Sequence, residues 1–166
     1  MPDASALIEK HIGKGVFVDA NLLVLLLVGS VNPKRIATFK RTQNFSVDDF
    51  RTLRSLVAWL GPRLIATPHV LSQVSDLTDL SGPEAARIRQ LLKTILEIVE
   101  EKYDAAKVLA AHRLFDRFGL GDASVAAVCE RGIVVLTADV QLQVALSALH
   151  LDAINFNHVR TFGWRR

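Results

Sequence analysis

Val16-Phe17-Val18-Asp19-Ala20-Asn21 is followed directly by the apolar run Leu22 to Val28. A short β-branched and aromatic run reads as a buried strand, and the longer apolar run behind it reads as a buried helix. Asp19 then stands at the carboxyl end of a strand. In an open parallel α/β sheet, that edge is where ligands bind, because helices start there with their positive ends exposed. A carboxylate at that point can cap the following helix, or it can hold a cation in the crevice.

Working outward, the pattern repeats. Leu64-Ile65-Ala66 reads as a second strand, followed by Thr67 as a cap and Pro68 at the first helical position. Residues 98–102 read as a short strand, Ile133 to Leu136 as the strongest strand, and Ala153 to Phe156 as the last. Between them the spacing predicts helices over 20–28, closed by Gly29 and Ser30, and over Ser46 to Leu60, 68–77 and 84–96. Further helices are predicted over 104–118, ended by Gly119-Leu120-Gly121, from Asp122 to Glu130, and from Asp139 to near Ala148. Strands alternating with helices predict an α/β fold, a three-layer α/β/α sandwich with a mainly parallel central sheet.

At 166 residues, half of them apolar, the chain is long enough for one domain with a sizeable core. The domain carries a basic inserted loop and helix at about 32–60. The net charge of +3 is compatible with a polyanionic partner without requiring one. Lys34, Arg35, Lys40 and Arg41, interleaved with Phe39 and Phe45, are candidates for gripping a phosphate backbone, although such a segment is more often a solvated connection. The apolar excess points to a homodimer or a tight partner. Asp3 and Glu9 precede any apolar run and Leu22 to Val28 is too short to span a bilayer, so a cytoplasmic location without a membrane is expected.

Several chemistries find no support. Cys129, the single cysteine, permits neither an internal disulfide nor a thiolate zinc cluster, and its apolar neighbours predict a packed, structural thiol. Gly13-Lys14-Gly15 precedes its strand and lacks the spacing of a phosphate loop. The histidines, among them His69, have no zinc-site spacing. A phosphatase with an aspartate nucleophile would need a second aspartate where Asn21 stands.

Asp19, Asp122 and Asp139 occupy one kind of place, each starting a helix. Taken singly, each is more readily a cap than a ligand. Together they predict a carboxylate cluster that becomes comfortable around a hard divalent cation, Mg²⁺ or Mn²⁺, and such ions most often serve phosphate chemistry.

Four blocks in order carry a resemblance: Val16 to Asn21; Thr67-Pro68-His69-Val70-Leu71-Ser72-Gln73-Val74-Ser75-Asp76-Leu77; Gly119 to Ala123; and Val135 to Asp139. So ordered, with Ile154 to His158 at the close, the chain resembles the PIN domain nucleases over nearly all its length. The resemblance implies a Rossmann-like sandwich and Mg²⁺- or Mn²⁺-dependent cleavage of RNA, commonly by the toxin of a toxin-antitoxin pair whose antitoxin is a protein partner. It implies that Asp19, Asp122 and Asp139 are the metal-binding, catalytic carboxylates, with Asn21 and Thr137 as polar neighbours. The pattern departs at Gln73, where the family brings a glutamate. An amide oxygen can ligate but carries no charge and cannot act as a base. Three readings follow: Asp76, one turn along, replaces it; three aspartates suffice with weaker activity; or the domain is a catalytically silent module that binds RNA or a protein.

Overall fold

The computed structural model describes residues 3–162; the tail residues Gly163 to Arg166, among them Trp164, Arg165 and Arg166, lie outside them. In chain order the elements are α1 (Ala4–His11), β1 (Val16–Val18), α2 (Ala20–Val31), a 3₁₀ turn (Pro33–Arg35), α3 (Val47–Leu60), β2 (Leu64–Ala66), α4 (Pro68–Leu77) and α5 (Pro83–Ile98). They continue with β3 (Glu100–Glu101), α6 (Ala106–Leu109), α7 (Phe115–Cys129), β4 (Val135–Thr137), α8 (Val140–Ala148), β5 (Ala153–Asn155) and α9 (Phe156–Phe162). The five strands form one sheet in the order β3-β2-β1-β4-β5, and every pairing is parallel. Helices flank the sheet, giving the three-layer α/β/α architecture expected from the alternation.

The strand order places the functional crevice. From β1 the chain steps outward through β2 to β3, then returns to the other side of β1 with β4 and β5. Connections leaving β1 and β4 therefore diverge, and the gap between their carboxyl ends is the switch point where such sheets bind ligands. Val16, Phe17, Val18, Val135 and Leu136 are fully buried, as befits central strands covered on both faces.

Helix α2 is apolar nearly all round because it has neighbours on several sides, α3, α4 and α5. It also continues past the stop expected at Gly29 and Ser30, ending at Val31 with Asn32 as its C-cap. Gly29 allows helix α3 to approach closely here: a β-carbon at that position would lie 2.4 Å from the ring of Phe50. Tertiary packing, rather than a turn, explains that glycine.

The expected helix over 104–118 is likewise corrected. It divides into α6 and the start of α7, with His112 Nδ1 accepting from the Leu114 N–H (3.1 Å) in the connecting turn. Gly119 (φ 78°) kinks α7, so its second part already begins at Leu120, and Asp122 lies inside the first turn rather than ahead of it. Strand β4 is shifted toward its carboxyl end, running from Val135 to Thr137 instead of from Ile133 to Leu136. The basic segment is more than a solvated connection, since Ile36, Phe39 and Thr42 are buried beneath it. The Thr42 hydroxyl donates to Ile36 O (2.8 Å), and Ser46 and Asp49 close a reciprocal capping box at the start of α3. Cys129 is buried, its thiol pushed up to about 12 mainly by desolvation and next by the charge of Asp152, in keeping with a structural role.

Among the described residues no helix is long and apolar enough to cross a membrane.

Candidate metal centre at the switch point

Asp19 is fixed by the sheet itself. Its N–H donates to Leu136 O (3.0 Å), so it is the last rung between β1 and β4. Its side chain, 6% exposed, accepts from the Ala20 N–H through Oδ1 (2.7 Å) and from the Thr137 hydroxyl through Oδ2 (2.7 Å). Thr137 Oγ1 in turn accepts the N–H of Asp139 (2.9 Å). A hydroxyl has one proton, so the direction of this chain is determined: Asp139 N–H to Thr137, Thr137 O–H to Asp19. Thr137 thereby links the ends of β1 and β4.

Asp139 caps α8, its Oδ1 accepting from the N–H groups of Gln141 (2.7 Å) and Leu142 (3.0 Å). Asp122 caps nothing: no hydrogen bond reaches its carboxylate among the described residues. It is held in place through Ser124, whose hydroxyl donates to Gly121 O (2.6 Å) and shares a hydrogen bond with Thr67 Oγ1 (2.9 Å) at the N-terminus of α4. Neither Ser124 nor Thr67 is recognisable as a site residue from the sequence, where Thr67 reads only as the cap of α4 and Ser124 only as a helical position two residues after Asp122.

All three aspartates line one open cleft of about 570 Å³, together with Asn21, His69, Ser72, Gln73, Asp76, Leu77, Phe118, Leu120 and Gly121. Gln73 and Asp76 share the wall with the aspartates, which the reading in which Asp76 replaces Gln73 requires. Gln73 Oε1 stands beside the start of the second part of α7, 3.8 Å from where a β-carbon on Gly121 would be. His69 also faces the cleft, and its Nε2 is buried with no hydrogen-bond partner among the described residues.

The electrostatics identify the aspartates as a group. Burial raises the Asp19 carboxyl, partly offset by the hydrogen bonds from Thr137 and Ala20, and the charge of Asp139 raises it further. Asp122 is pushed up to about 6, first by desolvation and then by the charges of Asp19 and Asp139. Among the described residues, four carboxylates and no lysine or arginine line this cleft. The donor set, carboxylate and amide oxygens with neither thiol nor clustered histidine, fits a hard divalent cation in charge and in element. Among the described residues no three acidic, histidine or cysteine side chains close into a ready ligand shell. Asp19 is turned toward Thr137, each of its oxygens accepting one hydrogen bond and keeping a second lone pair for ligation, whereas Asp139 takes both capping bonds on Oδ1 and would ligate through Oδ2.

The basic segment contributes unequally. Arg35 pairs with Glu84 (2.9 Å) and Lys40 with Asp79 (3.4 Å), while Lys34 is exposed and lines neither the cleft nor its neighbour. Arg41 alone of the four lies on a cavity wall next to Asp139.

The raised Asp122 carboxyl makes stability depend on pH with a defined sign. Its folded value of about 6 lies above the ordinary 3.8, so the folded state binds more protons between them and stability falls as pH rises through that window. The full shift corresponds to roughly 3 kcal/mol, and solvent screening at this half-buried position leaves about 1–2 kcal/mol. In EDTA, Asp122→Asn is therefore expected to melt higher than the parent at neutral pH and to flatten the decline. Melts across this range check it; parallel pH profiles for the two proteins would contradict it.

Compared with protein-family models, with curated proteins and with solved structures, the chain matches none.

Proposed function

We propose that this protein is a divalent-metal-dependent nuclease of PIN type that hydrolyses RNA phosphodiesters. The observation that carries the reading is the convergence of Asp19, Asp122 and Asp139 on one cleft at the switch point, where the charge of Asp139 raises the Asp19 carboxyl and the charges of Asp19 and Asp139 raise that of Asp122. Asp19, Asp122 and Asp139 would hold Mg²⁺ or Mn²⁺, with Gln73 or Asp76 as further oxygen donors. When bound, such an ion supplies charge for the transition state and lowers the pKa of water to form a nucleophile. The chain's own part is positional. Thr137 fixes the Asp19 carboxylate relative to Asp139, and Ser124 with Thr67 fixes the start of α7 and hence Asp122. Asn21, exposed on the first turn of α2, is available to hydrogen-bond a phosphate oxygen or water at the rim.

A second reading rests on Gln73: a PIN-like module that binds RNA or a protein without cutting. One assay separates the two. Generic single-stranded RNA incubated with Mn²⁺ should be cut by the parent chain and not by Asp19→Asn. Cutting by Gln73→Glu alone would favour the silent module. The toxin role and its antitoxin partner follow from the family resemblance, and an antitoxin-like gene immediately upstream would support them.

A further inference from the structure

A second cavity of about 460 Å³ adjoins the carboxylate cleft, lined by Asn21, Arg41, Asn44, Phe45, Ala138, Asp139, Val140, Asn157 and Arg160. Asn21 and Asp139 line both spaces, so the two lie side by side across the start of α2 and the end of β4. Their charges differ. Among the described residues, the charged side chains of the first are carboxylates alone, whereas the second has the unpaired Arg41 and an Arg160 partly compensated by Asp49, against the carboxylate of Asp139 on its wall.

Arg160 is pre-organised. Its Nη1 donates to Asn44 O (2.9 Å) and to Asp49 (3.3 Å), and its guanidinium lies 5.1 Å from the ring centroid of Phe45. Those hydrogen bonds use one nitrogen of a fork with five N–H donors, so the remaining edge is fixed in direction and still able to donate. Arg41, exposed on the same wall, has no hydrogen bond or ion pair among the described residues, in contrast to Arg35 and Lys40. Asn157, anchored through its Nδ2 to Ala138 O (2.7 Å), stiffens the rim between the two spaces.

We infer that this second cavity is a phosphate subsite in which Arg41 and Arg160 hold the backbone of a single-stranded RNA beside the phosphodiester presented to the carboxylate cleft. The inference rests on the nuclease reading for its orientation, since the strand must run past Asp139 from one space into the other. An anion held by the arginines places the next linkage of the same strand over a site that would otherwise repel it. Positioning of this kind converts encounter into alignment, which is where substrate-gripping residues contribute to rate.

The test uses the full chain and a fluorescein-labelled single-stranded RNA in EDTA at low salt, followed by anisotropy, with Arg41→Glu compared against Lys40→Glu. The expected result is a dissociation constant raised roughly tenfold or more by Arg41→Glu and by less than about threefold by Lys40→Glu. Arg41→Ala should also lower the slope of log affinity on log salt by about 0.7, the value for one phosphate contact on a single strand. Equal effects of the two charge reversals, no RNA binding by the parent chain, or displacement of the RNA by equimolar inorganic phosphate would each overturn the subsite. None of these depends on cleavage, so a chain that binds RNA through Arg41 and never cuts it would leave the subsite standing and remove the nuclease reading alone.

Discussion

Replacing Asp19 by asparagine is expected to lower Mn²⁺-dependent RNA cleavage by roughly 100-fold or more, about 3 kcal/mol of transition-state stabilisation, while leaving the protein folded. The substitution is nearly isosteric, and the consequences for folding and for chemistry separate cleanly. For folding, an asparagine can keep only one of the two hydrogen bonds, because its amide nitrogen cannot accept from Ala20 or from the Thr137 hydroxyl. The lost bond costs about 1 kcal/mol, and removal of a charge whose burial is unfavourable offsets it. For chemistry, the site loses the one carboxylate held rigidly at the end of the central strand. Initial rates of RNA cleavage, alongside a thermal melt, test both halves. A variant that melts normally and cuts like the parent would remove Asp19 from the reaction.

The opposite change at the departing position should increase activity. Gln73→Glu adds a negative charge on the cleft wall beside Gly121, facing the space the aspartates share. Two unit charges about 4 Å apart interact by about 4 kcal/mol at the effective dielectric of a protein surface, and part of that is lost to repulsion among the carboxylates. A tenfold fall in the Mn²⁺ concentration giving half-maximal cleavage is therefore a conservative expectation. In EDTA the same variant should melt lower than the parent, because a further carboxylate then joins a cleft already crowded with like charge. The two measurements are expected to move in opposite directions. If neither moves, residue 73 lies outside the reach of the metal, and Asp76 on the same wall becomes the natural fourth oxygen donor.

Much of this arrangement can be read from the chain because it depends on local signals. Val16-Phe17-Val18 forms the central strand where its β-branched run predicts one, and Thr67-Pro68 starts α4 as a cap followed by proline. Asp19 follows β1 directly and Asp139 follows β4 after Ala138, so once the sheet order brings β1 beside β4, both stand at its carboxyl edge. What the chain conceals is set by packing between distant segments. Gly29 looks like a helix stop, and only the ring of Phe50 explains why the helix passes through it. Asp122 looks like a cap, yet the break falls at Gly119, which leaves its carboxylate without the backbone amides a cap would use. The four basic residues at 34, 35, 40 and 41 look alike in sequence. Two of them meet Glu84 and Asp79 across the fold, and that distant pairing is what singles out Arg41.

An aspartate at a helix start can cap or ligate, and the fold places each of the three differently. Asp139 caps fully, Asp19 is held by one amide and one hydroxyl, and Asp122 does not cap at all. A carboxylate kept half-buried, without hydrogen-bond donors, beside two others is costly unless something positive shares the space.

Calorimetric titration of the full chain with Mn²⁺ at pH about 6, repeated in buffers of different ionisation enthalpy, tests that claim most directly. Asp122 is about half protonated there, so saturable binding should release roughly half a proton per ion, and Asp122→Asn should weaken binding and remove the proton release. Absence of saturable binding at millimolar Mn²⁺, or binding that Asp122→Asn and Asp19→Asn both leave unchanged, would contradict a shared metal site.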